Sequence, residues 1–274
     1  MVRWLLSAFI CLAAVPVTAW AADPTLTFKT GDRVLTLTTP QLLARPDVVS
    51  ITVPKDVAYG RTMHYRAVPM VPLITEAKLS LDEPIEIKAL DGFVAQFPAG
   101  LFKKGRDAAE PYLAIELPDE PWPTLPGKTQ SAGPFYVVWL NPQASGISPE
   151  YWPYQVASFE NVEDPRVRWP QIDLASTVPQ NDPARRGLSV FIENCFACHT
   201  MNGGGESTLG PDLNMPMSPT EYFQPEALRL FLRDPEAVRS WPGRTMTGFE
   251  VDALSDEELD DLIAYLKAMA KQRG

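Results

Sequence analysis

The pattern of hydrophobic and polar positions along the chain changes near residue 180. Between Leu26 and about Glu163, apolar and polar residues alternate in short runs, as they do in strands with one buried face. The runs LTFKTGDRVLTLTT and PIEIKALDGFVAQFP each contain a Gly-Asp or Asp-Gly pair near the centre, which predicts two β-hairpins. Further strands are predicted in PYLAIEL, FYVVWL and YQVASF, and one short helix over 71–78.

After residue 181 the apolar positions recur with helical spacing. A first helix is predicted to begin with Asp182 as its N-cap and Pro183 at its first position. The stretch QPEALRLFLRDPEAV predicts a second helix that an internal proline interrupts. Ser255 and Glu258 form the capping box of a terminal helix, whose apolar face comprises Leu259, Leu262, Ile263, Leu266 and Met269.

These patterns predict two domains, a mainly β (α+β) domain over residues 22–166 and an all-α domain over 182–274. The segment 167–181 lacks either periodicity and is predicted to link them. Residues 1–21 have the layout of a secretory signal peptide, with Arg3, an apolar run and a small-x-small triplet ending at Ala21. We therefore expect a periplasmic protein without a membrane span after cleavage, the alternative being that this segment is kept as an anchor.

Composition narrows the classes of function. The 274 residues carry 24 Lys and Arg against 34 Asp and Glu, a net charge of −10, which argues against nucleic-acid and anionic-membrane partners. Of the three cysteines, Cys11 leaves with the signal peptide, so Cys195 and Cys198 remain. We expect no disulfide framework, and the exported chain keeps these two thiols for another purpose.

The two remaining cysteines stand in the stretch NCFACH, and His199 follows the second directly. Two thiols three residues apart, followed by an imidazole, suit covalent attachment of a haem through two thioethers, with the histidine as an iron ligand. A redox-active Cys-x-x-Cys pair needs no such histidine, and a zinc site needs further Cys or His ligands. The other histidine, His64, lies in the β-rich region, so we favour haem attachment.

From about residue 182 to its end, the chain resembles a class I cytochrome c domain. Gly187 and Phe191 resemble the first helix of that family, where a glycine lets the terminal helix cross at close range. Tyr265 and Leu266 are the expected contacts on the terminal helix. The resemblance implies a cytochrome c fold with one covalent haem c, which His199 would ligate from one side.

The second axial ligand is predicted to be Met246, in the stretch RTMTGF before the terminal helix, where the family places its ligand. The other methionines follow the histidine too closely, lie on its side of the haem in the family, or belong to the apolar face of the terminal helix. They are Met201, Met215, Met217 and Met269.

Three further residues take roles from the same resemblance. Pro211, in GPDL, resembles the proline whose carbonyl accepts a hydrogen bond from the histidine ring, and Leu213 would pack on the haem. Trp241 resembles the indole that hydrogen-bonds a haem propionate in small bacterial cytochromes, the alternative being an ordinary core aromatic residue. The expected haem-site residues are Cys195, Cys198, His199, Pro211, Leu213, Trp241 and Met246.

The N-terminal region is similar in layout to the β-rich fold of sulfite-oxidase-type molybdopterin enzymes, through YRAVPMVPLI, ALDGFVAQFP, PYLAIEL and GPFYVVWL. Those enzymes hold molybdenum through a cysteine thiolate, and no cysteine lies between residues 22 and 194. We therefore expect this domain to carry no cofactor. A copper site around Met63, His64, Tyr65 and Met70 is the alternative that these residue types raise.

The function expected from the sequence is one-electron transfer by a monohaem c-type cytochrome. The N-terminal domain would dock a redox partner protein, with a periplasmic dehydrogenase or a terminal oxidase as the expected classes. Two alternatives remain open. In one, the haem is the electron acceptor of a periplasmic oxidoreductase whose active site lies in the N-terminal domain. In the other, the haem senses redox state or a ligand.

Overall fold

The computed structural model describes residues 23–103, 109–241 and 245–273. The predicted signal peptide, with Cys11, lies outside the described residues. Two separate groups of buried apolar side chains form the interior, one from the β-rich N-terminal part and one from the helical C-terminal part. Among the described residues, no helix has the length and apolar character needed to span a bilayer.

In the described N-terminal part, nine strands form two sheets. The strands are β1 (Thr25–Thr30), β2 (Arg33–Thr38), β3 (Val49–Val53), β4 (Met63–Pro69), β5 (Ile85–Ala89), β6 (Val94–Phe97), β7 (Glu110–Ile115), β8 (Phe135–Leu140) and β9 (Val156–Asn161). One sheet has the order β2-β1-β9-β5-β6 and the other the order β3-β4-β7-β8. β1 and β9 pair in parallel, and the other pairs are antiparallel. Helices α1 (Thr39–Leu43) and α2 (Met70–Glu76) follow β2 and β4.

Both predicted hairpins are present, as β1–β2 and β5–β6. The other predicted strands correspond to β7, β8 and β9, and the predicted short helix to α2. The pattern does not predict β3 or β4, because β3 leaves Val49 exposed and β4 runs into α2 without a break. Along β4, Met63 and Tyr65 are buried while His64 between them is exposed. This alternation separates the side chains of the copper-site alternative.

The described C-terminal part is helical, as predicted. Its helices are α3 (Pro165–Arg168), α4 (Pro183–Asn194), α5 (Pro219–Tyr222), α6 (Pro225–Arg233), α7 (Pro235–Val238) and α8 (Asp256–Ala270). The Asp182 carboxylate caps α4 by accepting the Ala184 N–H at 2.9 Å. Ser255 and Glu258 form the predicted capping box of α8, and Pro235 separates α6 from α7.

Helices α4 and α8 cross at Gly187. A β-carbon built at this position would lie 1.9 Å from the carbonyl oxygen of Asp261 and 2.7 Å from Cβ of Tyr265, so only glycine fits. Beside the crossing, the Phe191 and Tyr265 rings pack with centroids 5.2 Å apart. Arg186 donates two hydrogen bonds of 2.7 Å to the Asp261 carboxylate. The close contact predicted between Gly187 and Tyr265 is confirmed.

The segment 167–181, predicted as a linker, is packed against the C-terminal part. Ile172 and Leu174 are buried in the C-terminal core, and the Tyr265 hydroxyl donates to the Ile172 carbonyl at 2.7 Å. The segment also contains the end of α3 and a 3-10 turn over Pro170–Ile172. Irregular composition argues against long regular elements but not against burial, because single apolar side chains can fill gaps between helices. The two parts are therefore joined by an ordered segment.

Candidate haem site

The end of α4 brings both cysteines and the histidine into one turn. The Cys195 N–H donates to the Phe191 carbonyl at 2.9 Å and so continues the helical pattern. The N–H groups of Cys198 and His199 then donate to the Cys195 carbonyl, at 3.1 and 2.9 Å. Both thiols are free. Two thiols and one imidazole are thus held within a single tight turn.

Neither thiol has the lowered pKa that redox chemistry at a Cys-x-x-Cys pair requires. Burial raises the pKa of Cys195 far above its ordinary value and raises the pKa of Cys198 to about 12. A redox-active Cys-x-x-Cys pair relies on a thiol whose pKa is lowered, so the redox-disulfide alternative is not favoured. Among the described residues, no group of three or more His, Cys, Asp or Glu could hold a metal ion, so the zinc alternative lacks ligands.

The His199 ring is held by the loop around residue 210. Its Nδ1–H donates to the Pro211 carbonyl oxygen at 2.8 Å, so Nε2 keeps the lone pair that a metal requires. Gly210 lies so close that a β-carbon there would come within 2.4 Å of the ring. Burial lowers the pKa of His199 and outweighs the hydrogen bond to Pro211, which keeps the imidazole neutral at neutral pH.

Asp212 fixes the shape of this loop, and sequence reasoning missed it. Its carboxylate accepts hydrogen bonds from the N–H groups of Gly203, Asn214 and Met215 and from the hydroxyl of Thr200. Burial alone would raise the pKa of Asp212, but these hydrogen bonds outweigh burial and lower it. The signal in the sequence was the Asp-x-Asn spacing in DLN, since Asp and Asn side chains commonly bind nearby backbone N–H groups in turns.

The predicted second ligand, Met246, precedes α8 and is partly buried against the C-terminal core, as Leu213 is. Met215 and Met217 are instead 43% and 46% exposed. The two remaining candidates are buried in the C-terminal core, and they are Met201 and Met269. These positions agree with the predicted choice of Met246, whose role as a ligand stays a prediction.

Trp241 is 45% exposed, so its alternative role as a core aromatic residue is wrong. The guanidinium carbon of Arg239 lies 5.9 Å from the centroid of its ring. An exposed indole keeps its N–H available to a ligand group. Its contact with a haem propionate stays a prediction.

Comparison with known proteins agrees with this geometry. Residues 184–270 match the family model of cytochrome c. The C-terminal third is a cytochrome c domain. A protein named cytochrome c from Theileria annulata is 29% identical over 106 residues, and the alignment covers 33% of this chain and 88% of that protein. The family match does not extend into the β-rich part, whose similarity to sulfite-oxidase-type enzymes stays a prediction.

The cytochrome c domain implies a c-type haem, and the residues present fit it. Cys195 and Cys198 are free thiols suited to thioether bonds. His199 is a neutral imidazole whose Pro211 hydrogen bond leaves the other nitrogen for iron. Gly210 supplies the space in which the ring lies. A haem bound by these residues supplies a one-electron couple.

The β-rich part contacts the cytochrome c domain directly beside the cysteines. The Val94 N–H of β6 donates at 3.0 Å to the carbonyl of Ala197, which stands between the two cysteines. The Ser148 hydroxyl donates at 3.0 Å to the side-chain oxygen of Asn194, the residue before the first cysteine. Sequence reasoning missed these contacts, because each joins residues that belong to different parts of the molecule.

Proposed function

We propose that this protein is an exported electron carrier in which one covalently bound haem c, ligated by His199 and Met246, takes up and releases single electrons. The observation that carries the proposal is the turn after α4, where two free thiols and a carbonyl-anchored imidazole lie together. The cytochrome c domain by itself indicates haem-dependent electron transfer. We add to this the His199–Met246 ligand pair, the single haem, the export of the protein and the docking role of the β-rich part.

Two side chains would keep the iron in one coordination state. The hydrogen bond from His199 to Pro211 fixes the ring and makes its free nitrogen a better ligand. Met246 would add a soft thioether sulfur, which suits iron that changes oxidation state without binding small molecules. With both axial positions filled, electrons would pass by the outer-sphere route.

Export is supported by the first 21 residues, which have the order of charges, apolar run and small residues of a signal peptide. The β-rich part is proposed to dock the redox partner, a periplasmic dehydrogenase or a terminal oxidase. Because it contacts Asn194 and Ala197, a partner bound to it would lie near the haem. The proposal assigns no catalytic residue to this part.

The proposal is tested first by the presence of the haem. Protein exported from a host that matures c-type cytochromes should be red and should keep one haem per chain through denaturing electrophoresis and acid-acetone extraction. The Cys195→Ala/Cys198→Ala variant should lose the haem under both conditions. Ser189→Ala, on the exposed face of α4, is the control and should keep it. Correctly processed wild-type protein that is colourless would overturn the proposal.

A further inference from the structure

The β5–β6 hairpin packs against the haem-attachment turn, residues 195–199. β6 is an edge strand of its sheet, yet all four of its residues are buried. Ala95 and Phe97 lie in the β-rich core, whereas Val94 belongs to neither apolar core of the described residues. The Val94 N–H, which an edge strand would otherwise expose, donates to the Ala197 carbonyl at 3.0 Å. The haem-attachment turn therefore covers the edge of this sheet.

The tip of the same hairpin contacts the loop that holds the His199 ring, residues 207–211. The buried Ser207 hydroxyl donates to the Gly92 carbonyl at 3.1 Å. A β-carbon built at Gly92 would lie 3.0 Å from the Thr208 hydroxyl. The φ of Gly92 is +96°, in the left-handed region that favours glycine. The hairpin tip and the loop therefore fit closely, and the fit depends on glycine.

The turn and the loop are joined to each other by two hydrogen bonds. The Gly210 N–H donates to the Cys198 carbonyl at 2.7 Å, and the His199 Nδ1–H donates to the Pro211 carbonyl at 2.8 Å. Residues 202–211 form no helix and no strand, so regular secondary structure does not fix the loop. Its position depends on contacts with other elements, and the β5–β6 hairpin contacts both the turn and the loop.

We propose that the β5–β6 hairpin is a positioning element of the haem site, an inference that rests on the proposed function. Val94 holds the haem-attachment turn and Gly92 holds the 207–211 loop, at the separation that lets the His199 ring reach the Pro211 carbonyl. An imidazole that binds a metal depends on the hydrogen bond at its other nitrogen for its orientation and its strength as a ligand. The β-rich part thus belongs to the haem site, in addition to its proposed docking role.

Two variants weaken the contact between the hairpin and the loop. Ser207→Ala removes the hydroxyl that donates to the Gly92 carbonyl. Gly92→Ala adds a β-carbon where there is little space and where the backbone has a positive φ. Gly31→Ala is the matched control, because Gly31 has a φ of +55° in the β1–β2 turn and its β-carbon would meet no described atom within 4 Å. The two glycine variants share the backbone strain, and only Gly92→Ala disturbs the loop. Ser189→Ala, on the exposed face of α4, is the control for the serine change.

The test is hydrogen exchange with solvent in the haem-loaded full-length protein. Mass spectrometry follows the backbone amides of residues 207–213, and proton NMR follows the Nδ1–H of His199. Losing one hydrogen bond of ordinary strength shifts a local opening equilibrium about tenfold. In Ser207→Ala and Gly92→Ala, both places should therefore exchange about tenfold faster than in the wild type. The two control variants should exchange there at the wild-type rate.

Wild-type exchange in Ser207→Ala and Gly92→Ala would overturn the inference, because Asp212 alone would then fix the loop. Equal acceleration in Gly31→Ala would also overturn it, because a loss of global stability would then explain the effect. If Gly92→Ala does not fold, Ser207→Ala decides the question. Colourless protein would refute the proposed function, and amide exchange over residues 207–213 would still decide whether the hairpin holds the loop.

Discussion

Single residues around His199 decide whether an imidazole can become an iron ligand. The Pro211 carbonyl fixes the ring, and Gly210 lets the loop approach it, since a β-carbon would come within 2.4 Å of the ring. Cys195, Cys198 and His199 could be predicted because they are neighbours along the chain. The part played by Gly210 could not, because it depends on a loop that returns to the ring from further along the sequence.

Replacing Met246, the proposed second ligand, with alanine should remove the sulfur bond to iron. The oxidised variant should lose the weak long-wavelength absorption band that marks an iron–methionine bond, and the reduced variant should bind carbon monoxide. Visible spectroscopy of both oxidation states measures both changes. Met217→Ala, at a 46% exposed position, is the control and should behave as the wild type. If Met217→Ala lost the band and Met246→Ala kept it, the ligand assignment would be wrong.

Secondary-structure elements could be predicted where the signal is local. The Gly31-Asp32 and Asp91-Gly92 turns and the Ser255 capping box each lie within a few residues of the element they define. The parallel pairing of β1 with β9 joins opposite ends of the β-rich part, and no short pattern in the sequence signals it. The burial of Ile172 likewise depends on Tyr265, in the distant helix α8.

The crossing of α4 and α8 predicts that Gly187→Ala destabilises the protein. Alanine would normally stabilise a helix interior relative to glycine by about 1 kcal/mol. Here its β-carbon would meet the Asp261 carbonyl at 1.9 Å, so α8 must shift. We expect a net loss of about 2 kcal/mol in the free energy of unfolding. Denaturant unfolding followed by circular dichroism measures it. Ser189→Ala, on the exposed face of α4, should change the stability by less than about 0.5 kcal/mol.

On the scale of the whole molecule, a polar network joins the β-rich part to the cytochrome c domain. Arg168 donates to Glu86 of β5 and to Glu206 of the cytochrome c domain, both at 2.6 Å. Lys88 also pairs with both carboxylates. Glu86 is only 1% exposed, so it depends on these partners. The alternation of apolar and polar residues in β5 predicts a strand. It does not predict which charged side chains of β5 face the cytochrome c domain.

Arg168→Ala should therefore weaken the contact between the β-rich part and the cytochrome c domain. Removing Arg168 leaves the buried Glu86 carboxylate with Lys88 as its remaining charged partner, and we expect a loss of about 2 kcal/mol in the free energy of unfolding at neutral pH. Thermal or denaturant unfolding of the haem-loaded protein measures this loss. Arg166→Ala is the matched control in the same short helix. Its pair with Asp164 is exposed, so the loss there should stay below about 1 kcal/mol.

The ionisation of Glu86 predicts how the stability loss in Arg168→Ala depends on pH. Burial raises the pKa of Glu86, but hydrogen bonds from Gln96 and Arg168 outweigh burial, so the folded-state value lies below the ordinary 4.5. Its contribution is therefore full above that ordinary value and is lost as the pH falls through the folded pKa. Without Arg168, the buried carboxyl group takes up its proton at a higher pH than in the wild type. The stability difference between wild type and Arg168→Ala should thus shrink on acidification, and an equal difference at neutral and acidic pH would contradict the ion pair as its cause.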